Sequence, residues 1–172
     1  LSLLPPLAPT ARAAAEAVTG SISATVRIDY DQSLAVLQKR QVKAELLKGG
    51  ASLGSINLTS AGTTSLPGGY TAPVSLRDAS GGPLYSEWPS YLDLSVDDLP
   101  QGMYTLRFTG TGYVPYEETF AMEEYAHHLI VDTGDATFTL GDLNNDNQVD
   151  EQDRALLSAA LGSGEQRDLD AF

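Results

Sequence analysis

Apolar and polar residues alternate along the middle of this chain with the period of two that a strand with one buried face requires. Ile22, Ala24, Val26, Ile28 and Tyr30 interleave with Ser23, Thr25, Arg27 and Asp29. The pattern returns at Val42, Ala44 and Leu46; at Tyr70, Ala72, Val74 and Leu76; at Leu92, Leu94 and Val96; and at Tyr104, Leu106 and Phe108. Further strands are expected across Tyr116 to Met122, His127 to Val131 and Ala136 to Leu140. Turn-forming residues separate them, among them Gly49-Gly50, Gly68-Gly69, Ser80-Gly81-Gly82-Pro83, Pro100-Gln101-Gly102 and Gly110-Thr111-Gly112. Seven or eight short strands in about 120 residues predict a mainly β protein, an antiparallel β-sandwich over residues 21–140.

The period changes near the carboxyl end. From Glu151 to Leu161 the apolar residues Leu156, Leu157, Ala160 and Leu161 fall on or near one helical stripe, and Gly162-Ser163-Gly164 supplies a stop. The residues ahead of that helix place oxygen-bearing groups at positions 1, 3, 5, 7, 9 and 12 of a twelve-residue loop running from Asp142 to Asp153. A hard dication such as Ca2+ takes six to eight oxygens, and a tightly curled chain presents alternate side chains to it. Asp142, Asn144, Asp146 and Asp150 would give side-chain oxygens, Gln148 its carbonyl, and Asp153 the closing carboxylate from the first helical turn. Val149 is the apolar residue such a loop turns toward its own core. The sixth position holds Asn147 in place of Gly, and Asn is the residue after glycine that best tolerates the left-handed backbone needed there. Asp at position 12 is one methylene shorter than the usual Glu, so the helix must begin closer to the ion.

Composition sharpens this picture. With 42% apolar and 19% charged residues the chain is that of a folded globular protein. The net charge of −13 is uneven: from Asp132 onward ten acidic residues face only Arg154 and Arg167. Such a field draws divalent cations and repels phosphate backbones, which argues against nucleic acid as a partner. There is no cysteine, so disulfides, thiolate metal sites and a cysteine nucleophile are excluded. Residues 1–20 are apolar and rich in Ala and Pro, with Ala11-Arg12-Ala13 at their centre. They read as the remnant of a signal peptide with its cleavage site, or as a linker, and point to export. No other apolar run approaches the length needed to span a bilayer, so membrane insertion is not expected. Extracellular calcium is abundant enough to fill a modest site, so export and the loop support each other.

Gly141-Asp142-Leu143-Asn144-Asn145-Asp146, followed by Val149-Asp150, Asp153 and Leu156-Leu157, resembles the first calcium repeat of a type I dockerin, the module that plugs into cohesins in cellulosome-like assemblies. The resemblance covers residues 141–172. It implies Ca2+ as cofactor and a cohesin-type domain as partner, read through Glu151, Gln152, Ser158 and Ala159. Dockerins hold two such repeats, and a second would be expected to begin near Arg167-Asp168-Leu169-Asp170; either it has been cut off or this is a degenerate half-module, and without an initiator Met the chain looks like a fragment at both ends. The stretch Asp98-Leu99-Pro100-Gln101-Gly102-Met103-Tyr104, with Gly112-Tyr113 and Phe120, resembles the Cna-B or carboxypeptidase-regulatory-like sandwiches of bacterial surface proteins, which implies an Ig-like or prealbumin-like fold.

Catalysis finds little support. His127 and His128 are adjacent in an expected strand, point to opposite faces, and cannot share a metal. No serine has a motif that suggests a triad, and a sandwich offers little room for the paired carboxylates of a glycosidase. The expectation is a non-catalytic secreted module that docks a larger polypeptide onto a cohesin. Two alternatives stand beside it. One is a surface adhesin or stalk repeat whose calcium loop rigidifies a junction. The other is a carbohydrate-binding accessory domain resting on Tyr85, Trp88 and Tyr91, although Trp88 is more simply read as capping the core.

Overall fold

A computed structural model describes residues 19–28, 32–122, 126–133 and 137–163. The expected cleavage site at Ala11-Arg12-Ala13 and the expected start of a second loop near Asp168 lie outside them.

Among the described residues nine strands and two helices follow in the order β1 (Thr19–Arg27), α1 (Leu34–Lys39), β2 (Lys43–Lys48), β3 (Ala51–Asn57), β4 (Gly62–Leu66), β5 (Tyr70–Arg77), β6 (Tyr91–Pro100), β7 (Gly102–Thr109), β8 (Tyr116–Met122), β9 (Ala126–Asp132) and α2 (Glu151–Ser163). They form two sheets, β4-β5-β6-β1-β9 and β3-β2-β7-β8, so the fold is mainly β and sandwich-like. All strand pairs are antiparallel except β1 with β9, which run parallel.

The alternation read from the sequence is what closes this sandwich. Ile22, Ala24 and Val26 of β1, Ala72, Val74 and Leu76 of β5, and Leu92, Leu94 and Val96 of β6 form one inner face. Ala44 and Leu46 of β2 with Tyr104, Leu106 and Phe108 of β7 form the other, and all belong to one continuous apolar cluster. The Tyr104 hydroxyl reaches back to donate to the Pro100 carbonyl at 2.8 Å, which satisfies the one polar atom of that buried ring and fixes the corner between β6 and β7.

The structure adds and corrects. β3 and β4 were not expected, because only Ile56 and Leu66 of these edge strands are buried and the rest carries no alternation. A Gly49-Gly50 turn with φ of 55° and 84° folds β3 back onto β2, and β4 pairs with β5, so a neighbour's ladder rather than apolar patterning defines both. α1 was also unforeseen. Ser33 caps it by accepting from the Val36 N–H, and it buries Leu37. The strand expected across Ala136 to Leu140 is instead a bent segment over 137–139, followed by an isolated β-bridge between Leu140 and Tyr113. β1 ends at Arg27, and residues 29 and 30 are outside the described set. Trp88 does not cap the core: it is 52% exposed, and Tyr85 is 90% exposed.

Candidate functional site

The segment after β9 is stitched to the sandwich before it reaches the acidic loop. Phe138 is fully buried and stacks on Tyr113 at 4.4 Å between ring centroids. The Val114 N–H then donates to the Thr139 carbonyl, and the N–H groups of Gly141 and Asp142 share the Gly112 carbonyl at 2.8 and 3.1 Å. Gly141 has φ of 129°, and a side chain there would meet Val149 Cγ1 at 3.1 Å, so this entry to the loop requires glycine on two counts. The first loop residue is thus held by the sandwich, and the last, Asp153, by the first turn of α2.

Between them the backbone curls through Asn145 and Asn147, both left-handed with φ of 59° and 67°. The side chains at alternate positions then turn onto amides ahead of them. Asp142 accepts from the N–H groups of Asp146 and Asn147 at 3.1 and 3.0 Å. Asn144 accepts from Asp146 N–H at 2.9 Å, Asp146 from Gln148 N–H at 2.9 Å, and Asp150 from Gln152 N–H at 2.8 Å. Asp153 closes the ring. One oxygen accepts from Leu143 and Asn144 N–H at 2.7 and 3.2 Å, and the other from Asp150 N–H at 2.8 Å. These N–H donors, Asp150 foremost and then Leu143 and Asn144, hold the Asp153 carboxyl below the usual carboxylate range against the opposing effect of its burial. Asp142 and Asp153 are only 2% and 3% exposed.

The structure therefore brings Asp142, Asn144, Asp146, Asp150 and Asp153 onto one curled backbone, with the left-handed Asn147 the sequence called for. It does not gather them tightly: among the described residues no three carboxylate or imidazole side chains converge into a metal-holding group. The donor set itself suits a hard cation, being all oxygen, and each carboxylate oxygen that accepts one N–H keeps a lone pair for a second contact. Val149 departs from expectation. It is half-exposed, lies over Gly141, and lines a cavity of about 540 Å3 with Arg40, Leu140, Leu143 and Leu157.

Arg40 is the residue the sequence reading missed here. It follows α1, is almost fully buried, and donates from Nη1 to the Thr111 carbonyl at 3.2 Å while its guanidinium lies 6.0 Å from the Tyr113 ring centroid. Its Nε has no hydrogen-bond partner among the described residues, and burial lowers its pKa. No local pattern marks it, since Thr111 and Tyr113, which it contacts, lie about seventy residues further along the chain. On α2, Glu151, Gln152, Ser158 and Ala159 are all exposed, as a docking surface would need. Ala160 is buried, but Leu156, Leu157 and Leu161 of the same helix are open to solvent. His127 stacks against Phe120 while His128 lies against Ser23, so the two imidazoles do face apart. No described helix is long and apolar enough to cross a membrane.

No protein-family model matches the sequence, and no curated protein matches it. Among solved structures the chain is similar to a chain of a C-terminal interface mutant of a type II cohesin–X-dockerin complex from Acetivibrio cellulolyticus. The identity is 12%, with a TM-score of 0.41 over 82% of this chain and 73% of that one. The N-terminal interface mutant of the same complex matches at 11% identity with a TM-score of 0.40, over the same shares of each chain.

Proposed function

We propose that this chain is a non-catalytic, secreted module in which a β-sandwich carries a calcium-dependent docking segment for a cohesin-type domain. The observation that carries the reading is the winding of residues 142–153: left-handed Asn145 and Asn147, alternate side chains turned onto the loop amides, and Asp153 tied back to the loop's start. A calcium ion would be held by Asp142, Asn144, Asp146, the Gln148 carbonyl, Asp150 and Asp153. When bound it supplies charge neutralisation, so that acids which otherwise repel become part of the fold. The exposed face of α2 with Glu151, Gln152, Ser158 and Ala159 would then meet the partner.

Calorimetric titration of the full chain with Ca2+ tests the first half: a single site, abolished in Asp142→Ala, is expected, and an absence of heat with no change in melting overturns it. Mixing with a panel of purified cohesins, with calcium or with chelator, tests the second. Calcium-dependent complex formation is expected, and no complex under either condition removes the docking role.

A second reading has its own support. The Gly112 carbonyl shared by Gly141 and Asp142, with the Tyr113–Leu140 bridge, ties the loop to the sandwich as a rigidified junction in a surface stalk would need. It gains if calcium raises the melting point of the sandwich itself while no cohesin binds.

A further inference from the structure

The outward face of the five-stranded sheet is built from the small polar half of the strand alternation. Ser23 and Thr25 of β1 stand opposite Ser95 and Asp93 of β6. Ser75 of β5 continues the row beside Asp93, and His128 of β9 continues it beside Ser23. Such short side chains on central strands, with larger groups around them, leave a depression of about 270 Å3.

The charge in it is already answered. Asp93 receives Arg77 Nε and Nη2 at 2.6 and 2.9 Å and the Thr25 hydroxyl at 2.6 Å. Burial alone would raise its pKa, but these donors outweigh it and hold the carboxyl below its ordinary range. The Ser23 hydroxyl lies 2.8 Å from His128 Nδ1. That contact is not a hydrolytic pair, because β1 is laddered on both sides and leaves no free backbone N–H groups to stabilise an oxyanion. What remains is a surface of hydroxyls and an imidazole, rich in hydrogen-bonding groups, with Pro73 as one apolar wall. Its volume falls just below the roughly 300–1,000 Å3 of pockets that enclose drug-sized ligands, which favours a single ring.

We propose that this depression binds one ring of a neutral sugar, whose hydroxyls exchange hydrogen bonds with Ser75, Ser95 and His128 while its C–H face rests on Pro73. The site is separate from the acidic loop and from the loop that carries Trp88. The test is an amide NMR titration of the full chain with cellobiose, xylobiose, diacetylchitobiose and lactose at millimolar concentration. Saturable shifts in β1, β5, β6 and β9 are expected with at least one of them, unchanged by chelator. Ser95→Val and His128→Ala should each weaken binding about tenfold, the size expected for one lost hydrogen bond. Ser95→Thr, which keeps the hydroxyl, and Trp88→Ala should not. Absence of saturable shifts with every sugar overturns the proposal. Binding that maps to the loop around Trp88 and vanishes in Trp88→Ala overturns it equally.

Discussion

The sandwich and the loop–helix segment obey different physics. Between its sheets the sandwich is held by apolar side chains such as Leu46, Leu92, Leu106 and Phe108, all fully buried. Among the described residues from Asp142 to Gly162 only Ala160 is a buried apolar residue, and the loop is ordered by carboxylates that accept backbone N–H groups. Apolar side chains carry no proton or cation of their own, whereas acceptor carboxylates gain and lose both. One molecule thus joins a region whose core does not titrate to one whose order rests on groups that do.

The largest expected effect lies where the two meet. Phe138→Ala removes a fully buried ring that stacks on Tyr113, and should cost about 3–5 kcal/mol in urea unfolding. Hydrogen exchange in the same variant should quicken at Gly141 and Asp142, whose N–H groups rest on Gly112. Unchanged exchange there would mean the regions are independent despite their bridge.

Calcium comes next and should act on one side only. At a hundredfold excess over its dissociation constant an ion bound only by the folded loop adds about 2.7 kcal/mol to the segment, and chelation should reverse the gain with the sandwich transition in place. A single shared transition that moves as a whole would erase the distinction.

Acid should separate the regions in the other direction. The Asp153 carboxyl is depressed by the N–H groups of Asp150, Leu143 and Asn144, so the stability it supplies is present above the unfolded value of about 3.9 and lost as pH falls through its lower folded value. Amide exchange at Leu143, Asn144 and Asp150 should therefore rise below about pH 4 while the β7 amides stay protected. Asp153→Asn should abolish that pH dependence.

The smallest effect is expected at Leu161, which is 62% exposed on α2: Leu161→Ala should shift stability by no more than about 0.5 kcal/mol in thermal melts. A larger loss would show that α2 packs more closely than its exposure indicates.

From the sequence alone came strands β1, β2, β5, β6, β7, β8 and β9, because alternation records burial directly in residue order. The left-handed Asn147 was legible for a similar reason: curling a short chain is a local problem with a local residue code. Only the tertiary structure decided the rest. Edge strands β3 and β4 take their form from neighbours' hydrogen bonds, and Trp88 lies outside a core that other residues fill. Arg40 meets Thr111 and Tyr113 only once the chain has folded back on itself, and the serines of β1, β5 and β6 become one depression through strand register. These features depend on which distant segments meet, and residue order records the faces of a strand without naming the strand beside it.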